Sequence, residues 1–256
     1  MLAQPDRLNP SVKRKAAMKF TFHCTTCALV EGVDVSYEGV AIDIQDDGIY
    51  RFQCPRGHER YMEVQQERFQ ILFEIGFHAI TDTYYREAVS SFTAALERFY
   101  EFCVRVYIIR IVKMSGVELT FESFDRAWKQ LAKMSERQIG AYIMLHTSLV
   151  GAAPNLQSSD VRGFRNRVIH EGIYSTRADA IAYGDGVLRL LREGIDILRS
   201  RFGDELGEAN NWSRMAARAN APIGANFGLM YHPTIVSLID EGGDARSKKT
   251  LAELIG

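Results

Sequence analysis

The chain has 256 residues, 46% of them hydrophobic and 25% charged, proportions that exclude wholesale disorder. Its 31 Lys and Arg are balanced by 32 Asp and Glu. The formal charge of −1 excludes a uniformly basic coat, so any nucleic-acid contact must come from a local patch. No apolar run reaches the roughly 18 residues of a membrane span, and the N-terminal MLAQPDRLNPSVKRKAAMKF has no apolar core of a secretory signal. The expectation is a soluble, cytoplasmic protein without membrane contact.

Residues 1–18, polar, basic and carrying two prolines, read as a mobile lead. From 19 to 64 the character is β: Val40–Ile44 and Ile49–Gln53 are short, β-branched and aromatic, and Asp46-Asp47-Gly48 between them is a hairpin turn signal. At about 45 residues this unit is too small to build a core without a staple. From 65 to 203 the pattern turns helical. No proline occurs between 56 and 153 or between 155 and 221, and apolar residues recur at helical spacing. Helices are predicted in QERFQILFEIGFHAI, in the long YYREAVSSFTAALERFYEFCVRVYIIRIV, and in SFDRAWKQLAKM. A fourth, RQIGAYIMLHTSLV, follows a capping box at Ser135 and Gln138; a fifth runs through DVRGFRNRVIH and stops at Glu171-Gly172. A sixth starts after Thr176 with Asp179 at the matching position. The predicted fold is mainly α, a helical bundle behind a small N-terminal β module, with residues 204–256 as an appendage of unread role.

Four cysteines stand at 24, 27, 54 and 103. In a chain without an export signal, metal binding is a better reading of them than disulfides. Cys24-Thr-Thr-Cys27 and Cys54-Pro-Arg-Gly-His58 form C-x2-C…C-x3-H, two tight turns whose four soft donors suit a tetrahedral Zn²⁺. Because the protein supplies all four ligands, the zinc is expected to be structural, and no catalytic metal is expected. The segment resembles a zinc ribbon, a module that serves nucleic acids and proteins as a recognition element. Residues 21–64 hold eight carboxylates against three basic residues, which favours a protein contact or a structural role over a grip on nucleic acid. Cys103, inside the long helix, reads as a core thiol.

The most informative stretch is Asp160-Val-Arg-Gly-Phe-Arg-Asn-Arg-Val-Ile-His-Glu-Gly172. On a wheel stepping about 100° per residue, Val161, Phe164, Val168 and Ile169 share an apolar arc, and Arg162, Asn166 and His170 line a polar one. Arg165 falls within the apolar arc, where a guanidinium needs a carboxylate or an interface; Glu97 is the candidate partner.

Arg165-Asn166-x3-His170, followed by Glu-Gly and a long helix, resembles the R-[polar]-x3-H motif of HEPN domains. These are all-α domains, many of them metal-independent ribonucleases that act as dimers, and the resemblance spans roughly 65–203. It implies an endoribonuclease of toxin or phage-defence type, a homodimer, with RNA as substrate and a protein partner or antitoxin as its counterpart. The subgroup paired with minimal nucleotidyltransferases carries Tyr two residues after the histidine; here that position is Gly172, so that pairing is not implied. Under the resemblance His170 is the acid or base, Arg165 the phosphate-stabilising cation, and Asn166 the residue that orients the imidazole or holds a phosphate oxygen. Arg162 and Arg167 extend positive charge for RNA phosphates. The chemistry suits the residue types: histidine titrates near neutrality, and arginine offers fixed N–H donors to a phosphoryl oxygen. The alternative is a catalytically silent HEPN dimer that binds nucleic acid or protein through its ribbon. Read without the resemblance, the same residues fit a structural ion pair and a histidine capping its own helix.

No Walker or dinucleotide-binding glycine motif is present. Asp43, Asp46 and Asp47 read as a solvated turn, and His78 and His146 as core or boundary residues.

Overall fold

The computed structural model describes residues 18–218, 222, 224–225, 227–239 and 249–256. The lead expected at 1–18 lies, apart from Met18, outside the described residues. Four short strands come first: β1 (Lys19–Phe22), β2 (Val40–Asp43), β3 (Ile49–Gln53) and β4 (Glu59–Val64). β1 and β2 pair antiparallel, with Phe20 opposite Ile42; β3 and β4 pair antiparallel, with Tyr50 opposite Met62. Alternation along each strand sends Phe20, Phe22, Tyr50 and Phe52 inward, where they are buried, the Phe22 and Tyr50 rings 4.8 Å apart.

This pairing corrects the expected hairpin. The Asp46–Gly48 turn exists, with Gly48 at φ 69° and the Ile49 amide donating to Asp47 Oδ1 at 3.0 Å. The strands it joins nevertheless pair elsewhere. Beyond β2, the Gln45 amide donates to the Tyr50 hydroxyl at 3.1 Å, so a side chain takes the place of a ladder partner.

The helices are α1 (Arg68–Thr81), α2 (Tyr85–Ser115), α3 (Phe121–Leu131), α4 (Ser135–Val150), α5 (Ser159–Asn166), α6 (Arg177–Arg201), α7 (Gly203–Arg218) and α8 (Leu251–Ile255). The structure is mainly helical, as expected. α2 is the axis: its 31 residues extend about 46 Å and touch α1, α4, α6 and α7, which is why it is apolar on most of its circumference. α6 meets it at unusually close range. A Cβ on Gly194 would lie 2.5 Å from the Phe99 ring, and one on Gly184 2.7 Å from Phe92, so the rings occupy space that any larger residue would fill. α2 stops at Gly116, whose φ of 68° ends the helix in the left-handed region.

Of the two expected capping boxes, one forms. The Asp179 amide donates to Thr176 Oγ1 at 3.2 Å, and Thr176 N donates to Asp179 Oδ2 at 3.1 Å. At α4 the N-cap is Met134, and Ser135, the expected cap, is the first helical residue. Gln138 is buried and spends its amide elsewhere, donating to the Ala132 carbonyl at 3.0 Å and accepting from Arg98 at 3.2 Å.

The segment after Phe202, unread in sequence, threads through both parts of the molecule. α7 lies on α2, and β5 (Phe227–Met230) extends the second sheet by pairing parallel to β4. The strip that follows runs along α1, held by Gln66 just before the helix and by Gln70 and Glu74 on it. Gln66 Nε2 donates to the His232 carbonyl at 2.7 Å, Gln70 Nε2 to the Val236 carbonyl at 2.9 Å, and Glu74 accepts from the Ile235 amide at 3.0 Å. These bonds account for buried polar residues in an otherwise apolar helix. Leu251 of α8 is buried against α6. Among the described residues, no helix is long and apolar enough to cross a membrane.

Candidate functional site

The N-terminal unit brings Cys24, Cys27, Cys54 and His58 together. Beyond β1 the chain enters a turn of i→i+5 type over Thr26–Val30, in which Ala28 N donates to the Cys24 carbonyl at 3.1 Å and Val33 N to the Cys27 carbonyl at 2.9 Å. Cys54 and His58 flank the β3–β4 turn, closed by Gly57 N to the Cys54 carbonyl at 2.8 Å with Gly57 at φ 88°. The four donor atoms all lie within 4.8 Å of one another. Cys27 Sγ is 3.8 Å from Cys54 Sγ, and His58 Nδ1 is 3.3 Å from Cys27 Sγ and 3.7 Å from both Cys24 Sγ and Cys54 Sγ. A tetrahedron with metal–sulfur bonds of about 2.3 Å and metal–nitrogen bonds of about 2.0 Å has S···S edges of about 3.8 Å and S···N edges of about 3.5 Å. The spacing is therefore that of a ligand shell, and the set can hold a metal ion.

The electrostatics agree with a site completed by a cation. Burial and the neighbouring Cys24 and Cys54 push the Cys27 thiol up to about 12. Burial also pushes Cys54 up, but the amides of His58 and Arg56 outweigh it and hold that thiol down at about 7. Three clustered sulfurs resist ionising together until positive charge joins them. Arg60 on β4 supplies some: its Nη2 donates to Thr25 Oγ1, inside the Cys24–Cys27 turn, at 2.6 Å, while its buried Nε has no hydrogen-bond partner among the described residues. On the outer side, His58 Nε2 lies 3.2 Å from Glu31 Oε1. Sequence reading named the four donors and missed Glu31 and Arg60. A carboxylate four residues beyond the second cysteine was the available signal for Glu31.

The second candidate is the Arg165–His170 segment. The α-helical part ends at Asn166, and Arg167–Glu171 forms a wider i→i+5 turn closed by the Gly172 amide on the Arg167 carbonyl, with Gly172 at φ 71°. The expected single helix through His170 is thus corrected: the extra residue per turn breaks the even stepping that would align Arg162, Asn166 and His170. Val168 is fully buried and anchors the turn. Arg165 is half-buried and meets the predicted partner: Nη2 donates to Glu97 Oε1 at 2.7 Å. Its Nη1 donates to Asn166 Oδ1 at 2.9 Å, so Asn166 supports the arginine and not the imidazole. His170 is exposed and takes no hydrogen bond among the described residues; the helix-end carbonyls are served by backbone amides, not by its ring. Arg162 and Arg167 are exposed. Arg86, at the start of α2, donates to the Ile169 carbonyl at 3.4 Å, bringing a further cation to the turn that no local signal announced across 83 positions.

The remaining residues singled out from the sequence separate cleanly. Cys103 is buried, with burial pushing its thiol well up. His146 is buried beside Tyr107, whose hydroxyl is 2.8 Å from its Nδ1, whereas His78 is exposed. Asp43, Asp46 and Asp47 are exposed. No family model, curated protein or solved structure matches the chain.

Proposed function

We propose that the helical part is a HEPN-type, metal-independent endoribonuclease working as a homodimer, and that Cys24, Cys27, Cys54 and His58 hold a structural Zn²⁺. The observation that carries the enzymatic reading is the arrangement at the end of α5: a guanidinium pinned by Glu97 and Asn166, followed across one widened turn by an imidazole open to solvent. Arg162 and Arg167, exposed on the same short segment, and Arg86 behind it add the local positive charge that the chain as a whole lacks. In the proposed reaction a ribose 2′-oxygen attacks the adjacent phosphorus while a base takes its proton. The bond to the 5′-oxygen breaks as an acid protonates it, leaving a 2′,3′-cyclic phosphate and a 5′-hydroxyl. His170 serves as base or acid, its copy in a second protomer serves as the other, and Arg165 stabilises the phosphorane charge.

Zinc is favoured for the cluster by three thiolates and one imidazole at tetrahedral spacing, and by a β unit too small to stand on its own aromatic core. Four cysteines without a disulfide suit a reducing compartment, which supports a cytoplasmic setting.

The test is purified protein incubated with RNA in EDTA, with metal content measured before and after. The expected result is cleavage that leaves cyclic-phosphate ends. His170→Ala should lower the rate by about 10²–10⁴ and Arg165→Ala by about 10²–10³, with folding preserved. Intact RNA with wild type and both variants would reject the enzyme and favour the silent dimer, for which retention of RNA or a protein in binding assays is the readout.

A further inference from the structure

His58 uses both ring nitrogens. Nδ1 faces the three sulfurs at 3.3–3.7 Å, and Nε2 faces Glu31 Oε1 at 3.2 Å. A neutral imidazole carries one N–H and one lone pair, and the nitrogen in the ligand position must present the lone pair. The proton therefore belongs on Nε2, where Glu31 is placed to accept it. Glu31 is itself held: its amide donates to the Thr26 carbonyl at 3.1 Å, closing the i→i+5 turn that also carries Cys27. One turn thus delivers a ligand from its first half and a carboxylate for another ligand from its end.

We infer that Glu31 is a positioning residue of the metal centre, locking His58 in the Nε2–H tautomer so that Nδ1 completes the shell. The inference rests on the reading of the cluster as a metal centre. A carboxylate in this place raises the basicity of the imidazole and restrains its rotation, and removing such a partner elsewhere costs roughly ten- to a hundredfold in metal affinity. Three thiolates, a neutral imidazole and a divalent ion sum to one negative charge, and Glu31 adds another, against which Arg60 stands in the Cys24–Cys27 turn.

The experiment uses the full chain loaded with zinc, in wild-type, Glu31→Ala, Glu31→Gln and Asp46→Asn forms. Affinity is read by competition with a chromophoric chelator, ligand identity by Co²⁺ absorption, and the His58 tautomer by long-range ¹H–¹⁵N correlation. Wild type should bind one ion with His58 metallated at Nδ1. Glu31→Ala should lose roughly ten- to a hundredfold in affinity while the thiolate–cobalt bands persist. Glu31→Gln, which keeps an acceptor oxygen, should lose less, and Asp46→Asn should match wild type. Glu31→Ala binding within about twofold of wild type, or metal on Nε2, would overturn the role of Glu31 while leaving the centre intact. A wild-type chain that takes up no ion would overturn the centre itself.

Discussion

The Arg165–Glu97 pair offers the sharpest quantitative test of the candidate site, because it serves both a structural and a catalytic reading. The two side chains are 22% and 27% exposed and meet at 2.7 Å between Nη2 and Oε1. With charge centres about 4 Å apart and an effective dielectric near 20, the gross attraction is about 4 kcal/mol. Desolvation and the ordering of two long side chains remove much of it. Exposed pairs keep about 0–1 kcal/mol and hydrogen bonds to charged groups about 1.5–3, which places the net coupling here at about 1–2 kcal/mol. The assay is urea denaturation of wild type, Glu97→Gln, Arg165→Gln and the double variant, urea being chosen because it does not screen charge. A coupling below about 0.3 kcal/mol would refute the argument that Glu97 orients the guanidinium. The same variants read the chemistry. Glu97→Gln keeps an acceptor oxygen but removes the countercharge that holds Arg165, and should slow RNA cleavage by about tenfold, less than Arg165→Gln at about a hundredfold.

Other consequences can be measured independently. Gly194→Ala should destabilise the fold by about 1–2 kcal/mol, since the added methyl meets the Phe99 ring at 2.5 Å and overpacking outweighs the helical gain. Gly140→Ala in α4, where a Cβ meets nothing within 4 Å, should instead stabilise by about 0.5–1 kcal/mol; equal effects in denaturation would contradict the packing described. Glu63, buried on β4, pairs with Arg214 and Arg218 of α7. Glu63→Ala should cost about 3 kcal/mol and expose α7 to limited proteolysis; unchanged proteolysis would show that the pairs do not hold α7. Burial lowers the pKa of His146, so the unfolded chain takes up its proton first as pH falls. The resulting loss of stability begins below about 6.5 and continues down to the lowered folded value. Urea midpoints should therefore fall more steeply between pH 7 and 5 in wild type than in His146→Gln, and identical slopes would exclude this origin (about 6.5 being the reference for the free residue).

Much of the helical framework was legible because it depends on neighbours along the chain. Proline-free spans and apolar spacing placed the helices, and the side chains of Thr176 and Asp179 closed the box their spacing announced. Even one long-range contact was readable: a guanidinium among Val161, Phe164 and Ile169 demands a carboxylate, and Glu97 supplies it. The Ser135 box failed for a reason that no local pattern contains, since Gln138 is buried where Arg98 and the Ala132 carbonyl compete for its amide.

By itself, then, the sequence determined where the first six helices lie (though neither the end of the fifth nor the helix after Phe202), which four side chains make a soft ligand set, and that Arg165 needs a countercharge, all consequences of residue type and short spacing. Only the tertiary structure decided the pairing of β1 with β2, the widened turn beneath His170, the place of Glu31 beside His58, and the return of residues 227–236 along β4 and α1. Gln70 and Val236 meet across 166 positions, and Arg86 and Ile169 across 83. Such contacts join groups far apart in the chain, and no periodicity along it encodes which partner a polar group meets.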